Sequence, residues 1–248
     1  MYTEIDNLLM GYKDEKGVFH KEFEYREMTG NDEEAISKAT VRENGAKVVR
    51  VILDRCIVRI GNIEKSAVKP SEWTDMIQSL TIADQDYAVM KIRALTLGDE
   101  LEVKQYKCPN CKDKIDAIFS LNDFRLIPFN GEEEIEFELP KGYRDKDGNL
   151  HTRGTLRYPI GLDRELLDSV TKRNMATANT LLLSRCMLSL GDLKLHDGII
   201  RELSMKDRNY LFEVFKENLF GYDISDITIQ CSSCGEELNV TLNSASFL

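Results

Sequence analysis

No apolar run in this 248-residue chain approaches the roughly 20 residues that a membrane-spanning helix needs, so no membrane partner is expected. The opening Met1-Tyr2-Thr3-Glu4-Ile5-Asp6 has neither the basic nor the apolar region of a signal peptide, which points to a protein made and kept in a cytoplasm. Cysteine is sparse. Six are too few for a disulfide scaffold of this length, and in a reducing compartment a Cys-x-x-Cys pair reads as a metal knuckle before it reads as a disulfide. Excess positive charge is also missing: a net charge of −10 and a pI near 5.0 argue against broad binding to a phosphate backbone. There is no glycine-rich phosphate loop, no HExxH, no GxSxG, and no Cys or Ser in a nucleophile context. A non-enzymatic protein without a small-molecule substrate is therefore expected. The many acidic residues, spread along helices and strands, read as solvated faces.

With 42% hydrophobic and 31% charged residues, the chain can bury one large core or two modest ones. Its most specific feature is a pair of hooks, Cys108-Pro109-Asn110-Cys111 and Cys231-Ser232-Ser233-Cys234. Two such knuckles supply four thiolates, the ligand set of a closed structural zinc site, so one zinc ion per chain is expected on Cys108, Cys111, Cys231 and Cys234. Two independent dithiols are the alternative. A redox pair fits less well, because both hooks lie between extended segments and not at a helix N-terminus. The 119 residues between Cys111 and Cys231 are far more than a zinc ribbon needs.

An internal repeat accounts for that gap. Gly11-Tyr12, Asp14, Gly17 and His20 recur as Gly142-Tyr143, Asp145, Gly148 and His151 at an offset of 131, which Gly30 and Gly161 keep. Leu53, Arg55 and Cys56 match Leu183, Arg185 and Cys186 at offset 130, as Gly61 matches Gly191. At offset 123 Tyr87 meets Tyr210, Gly98 meets Gly221, both hooks align, and Phe124 meets Phe247. The expected fold is α+β and internally duplicated, with copies at 1–128 and 132–248. Each copy is read as a β arm, three helices and a β-hairpin zinc knuckle, and the knuckles pair as a zinc-ribbon-like module.

Within each copy the arm contains a glycine turn between extended pieces. Asn31-Asp32-Glu33-Glu34 and Asp163-Arg164-Glu165 read as helix starts. The apolar segments near 46–60 and 175–190 read as core helices ending at glycine. A loop is expected from Asn62 to Leu80, carrying the only tryptophan, Trp73, and its counterpart runs from Asp192 to Leu203. Third helices are expected near 82–97 and 205–219, and extended runs flank each hook, the last through Val240-Thr241-Leu242. Residues 131–139 alternate acidic and apolar side chains, as a charge-protected edge strand does. Cys56 and Cys186 read as small core residues. His20 and His151 read as structural hydrogen-bonding groups flanking a turn, and His196 belongs to no motif.

Three stretches together resemble a known family. They are Gly11-Tyr12 through Gly17-Val18-Phe19-His20, then Tyr25-Arg26-Glu27-Met28-Thr29-Gly30-Asn31-Asp32-Glu33-Glu34, and Asp84, Tyr87, Ile92-Arg93-Ala94-Leu95-Thr96 and Gly98 ahead of the first hook. They are similar to the T4-type baseplate hub and tail assembly proteins of contractile-tailed bacteriophages, most clearly over the first copy. The resemblance implies a virion structural protein of the tail baseplate, assembled in the host cytoplasm, with other baseplate, hub or tail proteins as partners. A transient assembly chaperone is the alternative, and a zinc-ribbon nucleic-acid-binding regulator or a dithiol oxidoreductase are readings from other classes. Within the family reading, the two arms with Tyr12 and Tyr143, and the Trp73 loop, are the expected partner contacts, since an aromatic side chain in a polar loop suits an interface anchor.

Overall fold

In the computed structural model, which describes residues 2–42, 45–223 and 228–239, the chain is mixed α and β and forms two compact units. Unit 1 is Met1–Ile77, Ala83–Pro128 and Phe220–Leu248, and unit 2 is Gln78–Ile82 and Phe129–Leu219. These are not the sequence copies 1–128 and 132–248: the stretch carrying the second hook belongs to unit 1, where it shares a core with the first.

Unit 1 begins with an antiparallel arm, β1 (Thr3–Lys13) and β2 (Phe19–Arg26). Helices α1 (Gly30–Arg42) and α2 (Gly45–Cys56) follow, then β3 (Ile57–Ile60) and β4 (Ile63–Glu64), which complete a sheet of order β1-β2-β3-β4. The helix expected over 46–60 thus ends at Cys56, and Ile57, Arg59 and Ile60, in a run rich in β-branched residues, pair with the open edge of β2 instead. Gly61 closes the strand, not the helix, at φ +55°. A second departure is α3 (Pro70–Ser79), where a loop was expected. Pro70 starts the helix, where its missing N–H costs nothing, and Trp73, Met76, Ile77 and Leu80 fall at i, i+3, i+4 and i+7, all buried. After α4 (Ile82–Leu97) come the ribbon β5 (Glu100–Lys107) with β6 (Lys114–Ser120), and β7 (Arg125–Ile127).

Unit 2 contains β8 (Glu134–Arg144), β9 (Leu150–Arg157), α5 (Gly161–Thr171), α6 (Met175–Cys186), β10 (Met187–Leu190), α7 (Asp197–Glu202) and α8 (Met205–Glu217), with sheet order β10-β9-β8. Edge strand β8 buries Ile135, Phe137 and Leu139 and exposes Glu134, Glu136 and Glu138. Here too the helix gives way to a strand after the cysteine, and a short helix, α7, occupies an expected loop. The chain then re-enters unit 1 as β11 (Gly221–Asp223), paired with β7, and the ribbon β12 (Thr228–Gln230) with β13 (Glu237–Asn239). Val240-Thr241-Leu242 and the Phe124/Phe247 correspondence fall outside the described residues. Among the described residues no helix is long and apolar enough to cross a membrane.

Both arms are pinned by buried carboxylates. In β1 the residues Leu8–Gly11 stand opposite the single residue Lys21, and in β8 Leu139–Gly142 stand opposite Thr152. Such a bulge removes backbone amides from the ladder, and buried amides need acceptors. Asp84 accepts from the N–H groups of Leu9, Met10 and Gly11 at 2.6, 3.1 and 3.1 Å, and Asp207 accepts from Lys141 at 2.7 Å and from the Ser204 hydroxyl at 2.6 Å. Gly11 and Gly142 have φ of +97° and +75°, and a Cβ on either would lie 2.8 Å from the carbonyl oxygen of His20 or His151.

A second pair of carboxylates ties each arm to its helices. Asp32 receives a bidentate Arg26 at 2.6 and 3.0 Å, Arg55 at 2.6 Å, and the Thr29 N–H and hydroxyl at 2.8 Å each. Asp163 receives Arg157 at 2.6 and 3.1 Å, Arg185, and the Ile160 N–H at 2.9 Å. Burial works against both charges, but the guanidinium and N–H donors outweigh it and hold both carboxyls below the usual carboxylate range.

Candidate metal centre

Each hook is the turn of a two-stranded antiparallel ribbon, β5–β6 for the first and β12–β13 for the second. The turns are built alike. The Cys108 N–H donates to the Asp113 carbonyl at 2.8 Å and the Lys112 N–H returns to the Cys108 carbonyl at 3.0 Å. In the second hook the Cys231 N–H donates to Glu236 and the Gly235 N–H returns to Cys231, both at 2.8 Å. The residue after the second cysteine is left-handed in both, Lys112 at φ +67° and Gly235 at φ +74°. Ile115, Leu238, Tyr106 and Ile229 form a small apolar core around Cys108 and Cys231.

This packing brings all four thiols together, every sulfur within 4.8 Å of every other. Cys108 and Cys234 lie 3.8 Å apart and Cys111 and Cys231 3.6 Å apart. Those separations are far beyond a disulfide bond of about 2.05 Å. They match the edge of a tetrahedron around a metal ion, about 3.8 Å for metal–sulfur bonds of about 2.3 Å. The Asn110 amide, from the first hook, donates to the Cys234 sulfur at 3.8 Å.

The electrostatics favour a cation at the centre. Burial opposes ionisation of Cys231, but the backbone N–H groups of Ser233 and Cys234 and the neighbouring thiols bring it down to about 7. The Asp113 backbone favours the Cys111 thiolate, yet burial and the other three thiols push Cys111 up to about 12. One sulfur ionises readily and another resists, as coupled thiols must when their charges share a small volume without a counter-ion. A divalent cation removes that conflict.

The remaining candidates lie elsewhere. Tyr12 and Tyr143 are half-buried on their arms: Tyr12 stacks on His20 at 6.1 Å, and the Tyr143 hydroxyl donates to Glu202 at 2.9 Å. Trp73 is only 2% exposed in α3, so it is a core residue and not the surface anchor expected of a loop. His20 and His151 each meet the aspartate of their own turn, Asp14 or Asp145, at 3.0 Å, and His196 accepts from the Gly198 N–H at the start of α7. Cys56 and Cys186 are fully buried, and burial pushes their thiols up to about 11 and about 12, the opposite of a reactive thiolate. The buried carboxylates Asp32, Asp84, Asp163 and Asp207 were missed among many acidic residues. Their recurrence at offsets 131 and 123 was the signal available for them.

No curated protein and no solved structure matches this chain. The family model described as T4 bacteriophage base plate protein matches residues 12–192, from the end of β1 to Asp192, two residues past β10. That span covers most of the chain and includes the turn and second strand of the first arm, the whole of the second arm and both Arg-Asp-Arg clusters, so the chain belongs to the T4 bacteriophage base plate protein family.

Proposed function

We propose that this chain is a non-enzymatic structural component of the baseplate hub of a contractile tail, built from two homologous copies whose hooks are clasped by one zinc ion. The observation that carries the reading is the family match over residues 12–192, which runs through the first copy and well into the second. The recurring arms, bulges and carboxylate clusters support the duplication. Four thiols leave no open coordination position for substrate or water, which supports a structural metal over a catalytic one. The two arms, with Tyr12 and Tyr143, are the proposed contacts for neighbouring baseplate or tail proteins.

Mass spectrometry of purified tails from a phage encoding the chain tests the role. Stoichiometric presence in finished baseplates is expected, whereas presence only in assembly intermediates would make the chain a chaperone. Elemental analysis of protein purified without added metal should find one zinc per chain. None, or one per dimer, would sink the clasp. Tyr12→Ala and Tyr143→Ala should weaken assembly without unfolding the protein.

A further inference from the structure

In unit 2 the residues at the start of α4 are seated on those at the start of α5. The Ile82 N–H donates to the Pro159 carbonyl at 3.0 Å and the Gly161 N–H to the Leu80 carbonyl at 2.9 Å, an antiparallel bridge between Thr81 and Ile160. Gln78 donates to Glu165 at 2.8 Å and Arg164 to the Ile82 carbonyl at 3.0 Å, framing the joint. Thr81 and Gly161 are buried and Ile82 is half-buried.

Each side of this joint has a counterpart with the same local backbone. Leu203-Ser204-Met205 stands 123 residues after Leu80-Thr81-Ile82. There Arg208 donates to the Ile200 carbonyl at 2.8 Å, as Gln85 donates to Ile77 at 2.9 Å. Met28-Thr29-Gly30 stands 131 residues before Pro159-Ile160-Gly161. Asp32 holds the Thr29 N–H as Asp163 holds that of Ile160, and the N–H of each aspartate returns to the carbonyl of Thr29 or Ile160. Leu203 is buried and Met28, Thr29 and Ser204 are half-buried, but the last residue of each counterpart is uncovered. Met205 is 69% exposed where Ile82 is half-buried, and Gly30 is exposed, with open space beyond its Cα, where Gly161 is buried.

We propose that the two counterparts join between copies, Leu203–Met205 of one chain seating on Met28–Gly30 of a second copy of this chain. The Met205 N–H then donates to the Met28 carbonyl and the Gly30 N–H to the Leu203 carbonyl. Charge supports this occupant. The neutral Gln78 of the existing joint corresponds to Arg201, and Glu165 corresponds to Glu34, so a polar contact becomes an ion pair. Where Arg164 stood is Glu33, and Lys206 follows Met205 on the opposing side. All four are exposed, and Glu34 meets Lys38 of its own helix at 3.7 Å. Different patches meet, so the contact is head-to-tail and propagates into a ring or a filament. Its small size and charged rim make it weak and salt-sensitive.

The inference rests on the duplicated, zinc-clasped reading. It is tested on the full zinc-loaded chain by sedimentation velocity over a concentration series at low and high salt. The wild-type chain should associate at low salt. Arg201→Glu and Glu34→Arg should each weaken association about tenfold or more, because like charges then face each other. An equimolar mixture of the two variants pairs opposite charges at every joint and should restore association, which no folding defect in either variant would do. A wild-type chain that stays monomeric throughout, variants that associate as the wild type does, or a mixture that fails to restore association would each overturn the interface. Zinc content of the same samples separates the two readings: zinc present with a monomeric chain overturns the interface alone, whereas absent zinc overturns the clasp.

Discussion

The two arms solve the same problem with different numbers of hydrogen bonds. Each has a bulge that turns backbone amides inward, and each bulge faces a buried aspartate from the first turn of a helix. In unit 1 Asp84 takes three amides from Leu9, Met10 and Gly11. In unit 2 Pro140 stands where Leu9 does and has no N–H to give, and Asp207 takes the Lys141 amide and the Ser204 hydroxyl. What is common to both is a carboxylate that ends the ladder in an orderly way. The donors around it vary with local sequence, because any arrangement that satisfies the buried groups will serve.

The units differ more sharply at the hooks, since unit 1 holds both. Cys231→Ser should therefore have the largest effect: loss of the bound metal by elemental analysis, and loss of hydrogen-exchange protection over 100–120 and 228–239. A chain of two copies clasped by the metal would lose stability in both together. With residues 228–239 in unit 1, protection across α5, α6 and α8 should persist. Collapse of both units at once would erase the distinction.

Next in size are the arm aspartates. Asp84→Ala orphans three amides, that of Gly11 buried and those of Leu9 and Met10 half-buried, and should cost about 3–5 kcal/mol in urea unfolding, whereas Asp207→Ala, with fewer donors stranded, should cost about 2 kcal/mol. Equal losses would show that the extra bonds in unit 1 add nothing.

The Arg-Asp-Arg clusters set a pH dependence that the units should share. Asp32 and Asp163 titrate below the usual range when folded, so the unfolded chain binds more protons as pH falls. Their contribution is complete above the unfolded carboxylate pKa of about 3.9 and is lost progressively below it. Asp32→Asn and Asp163→Asn should each lower the melting temperature at neutral pH and flatten its fall in acid, by similar amounts in the two units.

The smallest expected effect separates the hooks themselves. Lys112 occupies a left-handed position that Gly235 fills without strain, so Lys112→Gly should stabilise unit 1 by about 0.5–1 kcal/mol, read as a rise in urea midpoint. No gain would place the strain elsewhere in the first knuckle.

Much of the fold could be read in advance from spacing. Both arms, helices α4 and α8, the strands flanking each hook and an edge strand expected over 131–139, where β8 begins at Glu134, follow from glycine placement and periodicity. The errors have one origin. Ile57–Ile60 and Met187–Leu190 continue an apolar helix pattern, and only the open edge of the neighbouring strand makes them strands. Trp73 sits among polar residues, so its stretch looks like a loop until Met76, Ile77 and Leu80 are counted with it as one buried face.

The amino-acid order alone specified that two Cys-x-x-Cys hooks exist, that Gly, Tyr, Asp and His of residues 11–20 recur over 142–151, and where most helices and strands begin, because these are patterns of the sequence itself. It made one cluster of Cys108, Cys111, Cys231 and Cys234 the expectation against two separate dithiols, and left open that four of the many aspartates are buried and pin the arms. The thiol cluster depends on contacts 120 and 126 positions apart and the grip of Asp84 and Asp207 on the arms on contacts 66 to 75 positions apart, whereas Asp32 and Asp163 are held by arginines within 23 positions. Sequence spacing shows which groups could meet; packing two ribbons over one small core brings the four sulfurs within bonding range of a single ion.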